Sequence, residues 1–256
     1  MSYPLLLLHV LRHDPRTALW GKHKSPGDLP AMQVWAGADL AMSISMQGGP
    51  LDHVALWTDE RDALADFLCE RAGMHVIDKT DTFTLVGADA KKGKLTLFDA
   101  DGPREPGALG HVGLTVHDAE LAGDVSAPGG LQLQFVDHRE GDEWDLHHVR
   151  LRVPDPKHAV EDFLQLGFEP GDGPESVTAG DKTIYFVEGE NGRIEKPLLN
   201  HLALRVDSYK DHVENAKERG LEHDEVEATN TWAVFVTGPY GIRIEYVEHK
   251  PGFALQ

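Results

Sequence analysis

Four of the fifteen histidines open the same repeated phrase. The copies are DHVALWT at 52–58, GHVGLTV at 110–116, HHVRLRV at 147–153 and NHLALRV at 200–206. Neutral imidazole is a ready ligand for divalent metals. Two imidazoles plus one carboxylate form an open facial triad that leaves positions for substrate and a small molecule. The carboxylate comes from GPYGIRIEYVE at 238–248, where alternation sends Arg243, Glu245 and Val247 to one strand face and Ile244 and Tyr246 to the other. If the third and fourth phrases come together, the expected metal ligands are His148, His201 and Glu245. His147 points to the opposite side of its strand. A closed structural zinc site would need four ligands, and the single cysteine, Cys69, supplies no cluster. It sits in an apparent helix, where a packing role is expected.

These side chains need a scaffold, and the pattern around each phrase describes one. Alternating aliphatic residues make each phrase a strand with one packed face. Helical stripes follow at Ala63, Leu64, Phe67 and Leu68, at Val160, Phe163 and Leu164, and at Tyr209, Val213 and Ala216, with stops at Gly73, Gly167 and Gly220. Short strand-like runs come next, so the unit reads βαβββ. Aligned unit endings place Gln134, Tyr185 and Leu97 where the fourth unit has Glu245. His53, His111 and Gln134 then repeat the expected ligand set in the first half, and a vestigial or structural role is expected for them. The second unit is too short for a helix and three strands. The polar run HREGDEWD at 138–145 is the expected linker. The expected domains are 51–137 and 146–250, with 1–50 an N-terminal extension of unassigned role.

The repeated unit, the histidine openings and the PxG ending with its acidic residue resemble the vicinal oxygen chelate superfamily of glyoxalases, bleomycin-resistance proteins and extradiol dioxygenases. Over about residues 51–250 the chain is most similar to type I extradiol dioxygenases. The resemblance implies an α+β fold of tandem βαβββ modules forming two open-barrel, cup-like mixed sheets, with the second module truncated. It also implies an iron-dependent oxidoreductase: Fe(II), or alternatively Mn(II), on His148, His201 and Glu245, with O2 and a catechol-like vicinal dioxygen substrate beside it. The family's acid/base residues are missing: GENGRIEKPLLN holds no histidine, and the expected tyrosine and histidine positions are Phe235 and Val226. Tyr185, His223 and Tyr240 are the substitutes considered. A glyoxalase-type isomerase or lyase, and a non-catalytic binding protein of the bleomycin-resistance kind, are the alternatives.

Arg150, Arg152 and Arg205 share the parity of the expected metal histidines and suit an anionic substrate, because guanidinium binds carboxylate or phenolate oxygens bidentately. The rest of the charge is acidic. Asp and Glu number 43 against 24 Lys and Arg, a formal net charge of −19. That balance repels phosphate backbones and anionic lipid, so neither nucleic acid nor membrane is an expected partner. Composition and the lone cysteine fit a cytoplasmic protein, and a homo-oligomer is left open.

Overall fold

The computed structural model describes residues 46–189 and 194–252, and the N-terminal extension up to residue 45 lies outside the described residues. The first unit contains β1 (Leu51–Thr58), α1 (Arg61–Arg71), β2 (His75–Lys79), β3 (Phe83–Gly87) and β4 (Leu95–Asp99). The second contains β5 (Leu109–Val116), β6 (Gly123–Ser126) and β7 (Gln132–Asp137), with only a 3-10 turn at Ala119–Leu121 in place of a helix. The third contains β8 (Leu146–Val153), α2 (Pro156–Leu164), β9 (Glu169–Pro170), β10 (Ser176–Ala179) and β11 (Lys182–Glu188). The fourth contains β12 (Leu199–Arg205), α3 (Tyr209–Glu218), β13 (His223–Glu227), β14 (Thr231–Thr237) and β15 (Arg243–His249). Three full βαβββ units and one shortened unit thus form an α+β fold.

Local chemistry starts and stops the helices. The Asp155 carboxylate accepts from the amides of Lys157 and His158, and Pro156 sits at the first helical position of α2. Ser208 caps α3 by accepting from the Asp211 amide. Gly167 ends the turn after α2 at φ 90, and a Cβ there would lie 2.3 Å from the Gly48 nitrogen. No other residue fits both the backbone angle and the contact. Among the described residues, no helix is long and apolar enough to cross a membrane.

The strands form two mixed sheets, and neither closes. One has the order β13-β14-β15-β12-β1-β4-β3-β2, the other β6-β7-β5-β8-β11-β10-β9. This arrangement departs from the expected division at 138–145. The first unit joins the fourth through antiparallel β1 and β12, and the second joins the third through antiparallel β5 and β8. The expected linker also bridges parts rather than separating them. Trp144 packs edge-on against Phe135 at 5.3 Å, and Asp145 pairs with Lys182 at 2.6 Å while accepting from the Gly93 amide at 2.7 Å.

The partners are matched by the residue two positions beyond each histidine. In β1 and β12 this residue is alanine, and the register sets His53 against Ala203 and Ala55 against His201. Each imidazole therefore stands over a methyl group. In the other sheet His148 faces Gly113, where a Cβ would lie 2.3 Å from its Nδ1. Its counterpart His111 faces Arg150. Three of the four rings thus face alanine or glycine across the seams, and His111 opposite Arg150 is the exception.

Behind the histidine-bearing strands lies the apolar layer covered by the helices. Val54 and Leu56, Leu95 and Leu97, Leu202 and Leu204, and Ile244 and Tyr246 are all fully buried there. Each such side chain contributes roughly 1.5–3 kcal/mol. Tyr246 carries a polar atom into this layer and satisfies it by donating to the Leu166 carbonyl at 2.7 Å. Tyr246→Phe keeps the packing but strands that carbonyl, and a loss of about 1–3 kcal/mol is expected in denaturant unfolding.

Candidate metal centre

Alternation places His53, Ala55 and Trp57 of β1, Thr96 and Phe98 of β4, His201 and Ala203 of β12, Phe235 of β14 and Arg243 and Glu245 of β15 on the inner face of the eight-stranded sheet. Three of these converge. His53 Nε2 lies 3.1 Å from His201 Nε2, and Glu245 Oε2 lies 3.2 Å from His53 Nε2 and 2.9 Å from His201 Nε2. Among the described residues this is the one group of three or more His, Cys, Asp or Glu side chains whose ligand atoms gather closely enough to hold an ion. His201 and Glu245 are buried and His53 nearly so.

The other nitrogen of each ring is already engaged. His53 Nδ1 lies 2.9 Å from Asp52 Oδ2, and His201 Nδ1 lies 3.0 Å from Asn200 Oδ1. Both acceptors come from the residue just before the histidine, and each assigns the Nδ1 proton. The two Nε2 lone pairs then face one carboxylate oxygen, an arrangement that needs a cation among them. Glu245 Oε2 is also buried without a well-aligned hydrogen bond, as a ligand atom would be. Cis ligands about 2.1 Å from an octahedral ion lie about 3.0 Å apart, which matches the three contacts. The donor set fits a divalent transition metal.

Electrostatics divide the pair. Burial disfavours charge on both rings, but hydrogen bonds to Asp52 and Glu245 outweigh it at His53, whose pKa is raised to about 9. His201 falls to about 4, because burial there exceeds the attraction of Glu245. Burial acts to raise Glu245, yet the neighbouring imidazoles hold it down at about 2. Without a metal, a proton on His53 balances the cluster at neutral pH, and a metal would displace it. Asp52 stays well below the usual carboxylate range despite burial, held by His249, His53 and Lys94.

His148 is not brought to His201 and Glu245. It lies in the seven-stranded sheet, with its Nε2 2.7 Å from His111 Nε2 and its Nδ1 2.9 Å from Nδ1 of His147, which the sequence reading had set aside. His53, expected to be vestigial, takes the corresponding position instead. The cause is the unit pairing, which sets β8 beside β5 and not beside β12. The His111–His148 pair has Gln134 and Tyr185 at the positions corresponding to Glu245, so it lacks a carboxylate. Burial, His111, His147 and Arg150 push His148 down to about 3. A histidine depressed in the folded state stabilises above its unfolded value of 6.5, and that stability is lost as pH falls from 6.5 toward 3. His148→Gln should flatten the stability–pH slope in this window by about one proton, as read by urea unfolding at several pH values.

The remaining expected site residues lie elsewhere. Tyr185 stands edge-on to His148 at 5.5 Å in the other sheet. His223 is held by the Leu221 carbonyl at 2.9 Å, and it is its neighbour Asp224 that shares a face with Phe235 and Glu245. Tyr240 sits in the Pro239–Gly241 turn, its hydroxyl pushed up to about 12 by burial and by Asp162. Arg150 and Arg152 belong to the seven-stranded sheet, where Arg152 donates to the Leu109 carbonyl at 2.6 Å. Arg205 lines a cavity of about 270 Å³ with Pro50, Asp52 and Lys182. The three arginines therefore do not gather at one cavity. The cation at the cluster is Arg243, which lies 4.7 Å over the Phe235 ring and 3.4 Å from Asp224.

Sequence reasoning missed Asp52 and Asn200, and it placed the Glu245 counterpart at Leu97. The first two were legible as polar residues directly preceding a histidine. The third was not, because Thr96 pairs with Ala55 as Glu245 pairs with Ala203, one residue off the counted alignment. Leu97 is buried behind the sheet.

Paired βαβββ units whose histidines meet across an antiparallel seam define a class of cup-forming proteins with a candidate metal site in the cup. Residues 50–142 match the family model of the Glyoxalase/Bleomycin resistance protein/Dioxygenase superfamily. Solved structures share the fold. A putative dioxygenase from Bacillus subtilis subsp. subtilis str. 168 aligns with TM-score 0.66 at 17% identity, covering 82% of this chain and 88% of that one. Glyoxalase I from Zea mays aligns with TM-score 0.62 at 15% identity, covering 78% and 92%. The cppA protein from Streptococcus pneumoniae TIGR4 aligns with TM-score 0.52 at 11% identity, covering 79% and 98%. No curated protein matches the sequence. The superfamily match thus covers residues 50–142, and the solved structures show the fold that the chain shares with them.

Proposed function

We propose that the protein is a metal-dependent dioxygenase of the extradiol ring-cleavage type, with His53, His201 and Glu245 as ligands and a catechol-like substrate. The observation that carries this reading is the cluster of two imidazole nitrogens and one carboxylate oxygen within 2.9–3.2 Å of each other. Three protein ligands leave positions open for substrate and O2, which suits Fe(II) first and Mn(II) second. A bound metal of this kind supplies Lewis acidity and an electron path between substrate and O2.

The chain's own residues do the rest. His201, neutral at physiological pH, offers its lone pair without releasing a proton, while His53 gives up the proton at Nε2. Asp52 and Asn200 hold the two rings in that tautomer. Phe98, Trp57, Phe83 and Phe235 wall the cup with aromatic surface that suits a flat ring and excludes water. Arg243 supplies positive charge for an anionic oxygen. The glyoxalase alternative is less well supported, since the counterpart of Glu245 is a threonine.

Anaerobic reconstitution with Fe(II) or Mn(II), metal analysis and oxygen uptake on a panel of catechols test the proposal. The expected result is one metal per chain and catechol-dependent oxygen consumption. Retention of no metal would overturn the metal-dependent reading, and metal without oxygen uptake would overturn the dioxygenase assignment.

A further inference from the structure

We propose that the cavity where β1 and β8 begin, at the junction of the two sheets, is an oxyanion site that takes phosphate or the phosphate group of a small monoester. It is separate from the metal cluster and does not depend on the metal reading.

The cavity measures about 270 Å³ and is lined by Leu51 and Asp52 at the start of one strand and by Asp145 and Leu146 at the start of the other. Clefts that enclose organic ligands usually run from about 300 to 1,000 Å³, so this one suits a small ion. Four carboxylates line it, and each is already held by a lysine. Asp52 pairs with Lys94 at 2.7 Å, Asp145 and Asp181 share Lys182 at 2.6 and 2.8 Å, and Asp142 pairs with Lys92. These acids do not form a cation site: among the described residues, ligand atoms gather closely enough for a metal only at His53, His201 and Glu245.

Two cations are left over. Lys91 and Arg205 line the same cavity, and among the described residues neither side chain has a hydrogen bond, ion pair or ring contact. With Lys94 included, five cations meet four carboxylates here, in a chain whose acids outnumber its bases 43 to 24. The surplus is positive where the rest of the surface is negative. A guanidinium offers two parallel N–H donors and an ammonium a compact charge, and together they suit a dianionic oxyanion.

The backbone fixes both positions. The Arg205 amide donates to the Pro50 carbonyl at 2.9 Å, and a Cβ at Gly49 would lie 1.8 Å from the Arg205 carbonyl oxygen. The Lys91 amide donates to the Asp89 carboxylate at 2.6 Å, and two residues on the Gly93 amide donates to Asp145 at 2.7 Å. Arg205, expected from its strand parity to face the metal histidines, thereby acquires a ligand of its own.

Calorimetric titration of inorganic phosphate into the full chain, stripped of metal and held at constant ionic strength, tests the site. One phosphate per chain is expected. Arg205→Gln and Lys91→Gln should each weaken binding about tenfold, and the double variant about a hundredfold. Arg205→Lys keeps the charge but not the paired donors, and a loss of about threefold is expected. Arg150→Gln, in the other sheet, should change nothing. Glycerol 2-phosphate binding more tightly than inorganic phosphate would identify a monoester as the ligand, and the reverse order would identify free phosphate. Both glutamine variants remove exposed side chains, so near-UV circular dichroism should be unchanged. If it is not, amine labelling of the wild-type chain decides: phosphate should slow modification of Lys91 but not of exposed Lys157, as read by mass spectrometry. No saturable binding at millimolar phosphate, undiminished affinity in the double variant, or no protection of Lys91 would each overturn the assignment, and none of them bears on the metal centre.

Discussion

Alanine at His53 is expected to abolish metal binding as completely as alanine at His201 or Glu245, whereas alanine at His148 leaves it intact. Each of the first three removes one of three ligand atoms in mutual contact at 2.9–3.2 Å. A two-ligand remnant should lose roughly a thousandfold or more in affinity, well beyond the 10–100-fold typical of losing an outer hydrogen-bond partner. His148 is hydrogen-bonded to His111 in the other sheet and contributes nothing to the cluster. Chelator-competition titration of all four variants, with folding checked by near-UV circular dichroism, measures the effect. Metal loss in His148→Ala comparable to that in His201→Ala would return the site to the second half of the chain.

The second large effect is expected at Asp52. Its carboxylate lies 2.9 Å from His53 Nδ1, 2.7 Å from Lys94 Nζ and 3.2 Å from His249 Nε2. Lys94 is only 2% exposed, so Asp52→Ala strands a buried ammonium. Breaking a buried pair in this way costs about 3–5 kcal/mol. For a fold of this size that is roughly 10 °C in Tm of the metal-free protein. Metal affinity should fall about 10–100-fold as His53 loses its orienting partner. Asp52→Asn combined with Lys94→Met separates the two roles. Asn200 already holds His201 with an amide, so the double variant should recover most of the metal affinity and much of the stability. If Asp52→Ala alters neither Tm nor metal affinity, the carboxylate has no positioning role.

The histidine phrases and helix stripes made the units readable, since strand and helix periods are properties of a short window. Glu245 was legible for the same reason: its alternation with Ile244 and Tyr246 sets its face whatever the strand pairs with. The shortened second unit was legible by counting. The identity of the second histidine ligand was not, because four equivalent strands can be paired in more than one way. A clue did lie in the residue two positions past each histidine, Ala55, Gly113, Arg150 and Ala203. It acquires meaning only once the opposite ring is known to need that space.

The sequence by itself therefore determined the repeating βαβββ unit, the inward histidines and the presence of a carboxylate on the last strand. Only the tertiary structure decided that the first unit meets the fourth and the second meets the third, so that His53 and not His148 reaches Glu245. Strand pairing is a long-range choice, and the strand and helix periods of a short window do not encode it. The β1–β4 register within the first unit decided that Thr96, and not Leu97, shares the face of His53, because a one-residue difference in connection length moves a side chain to the opposite face of its strand.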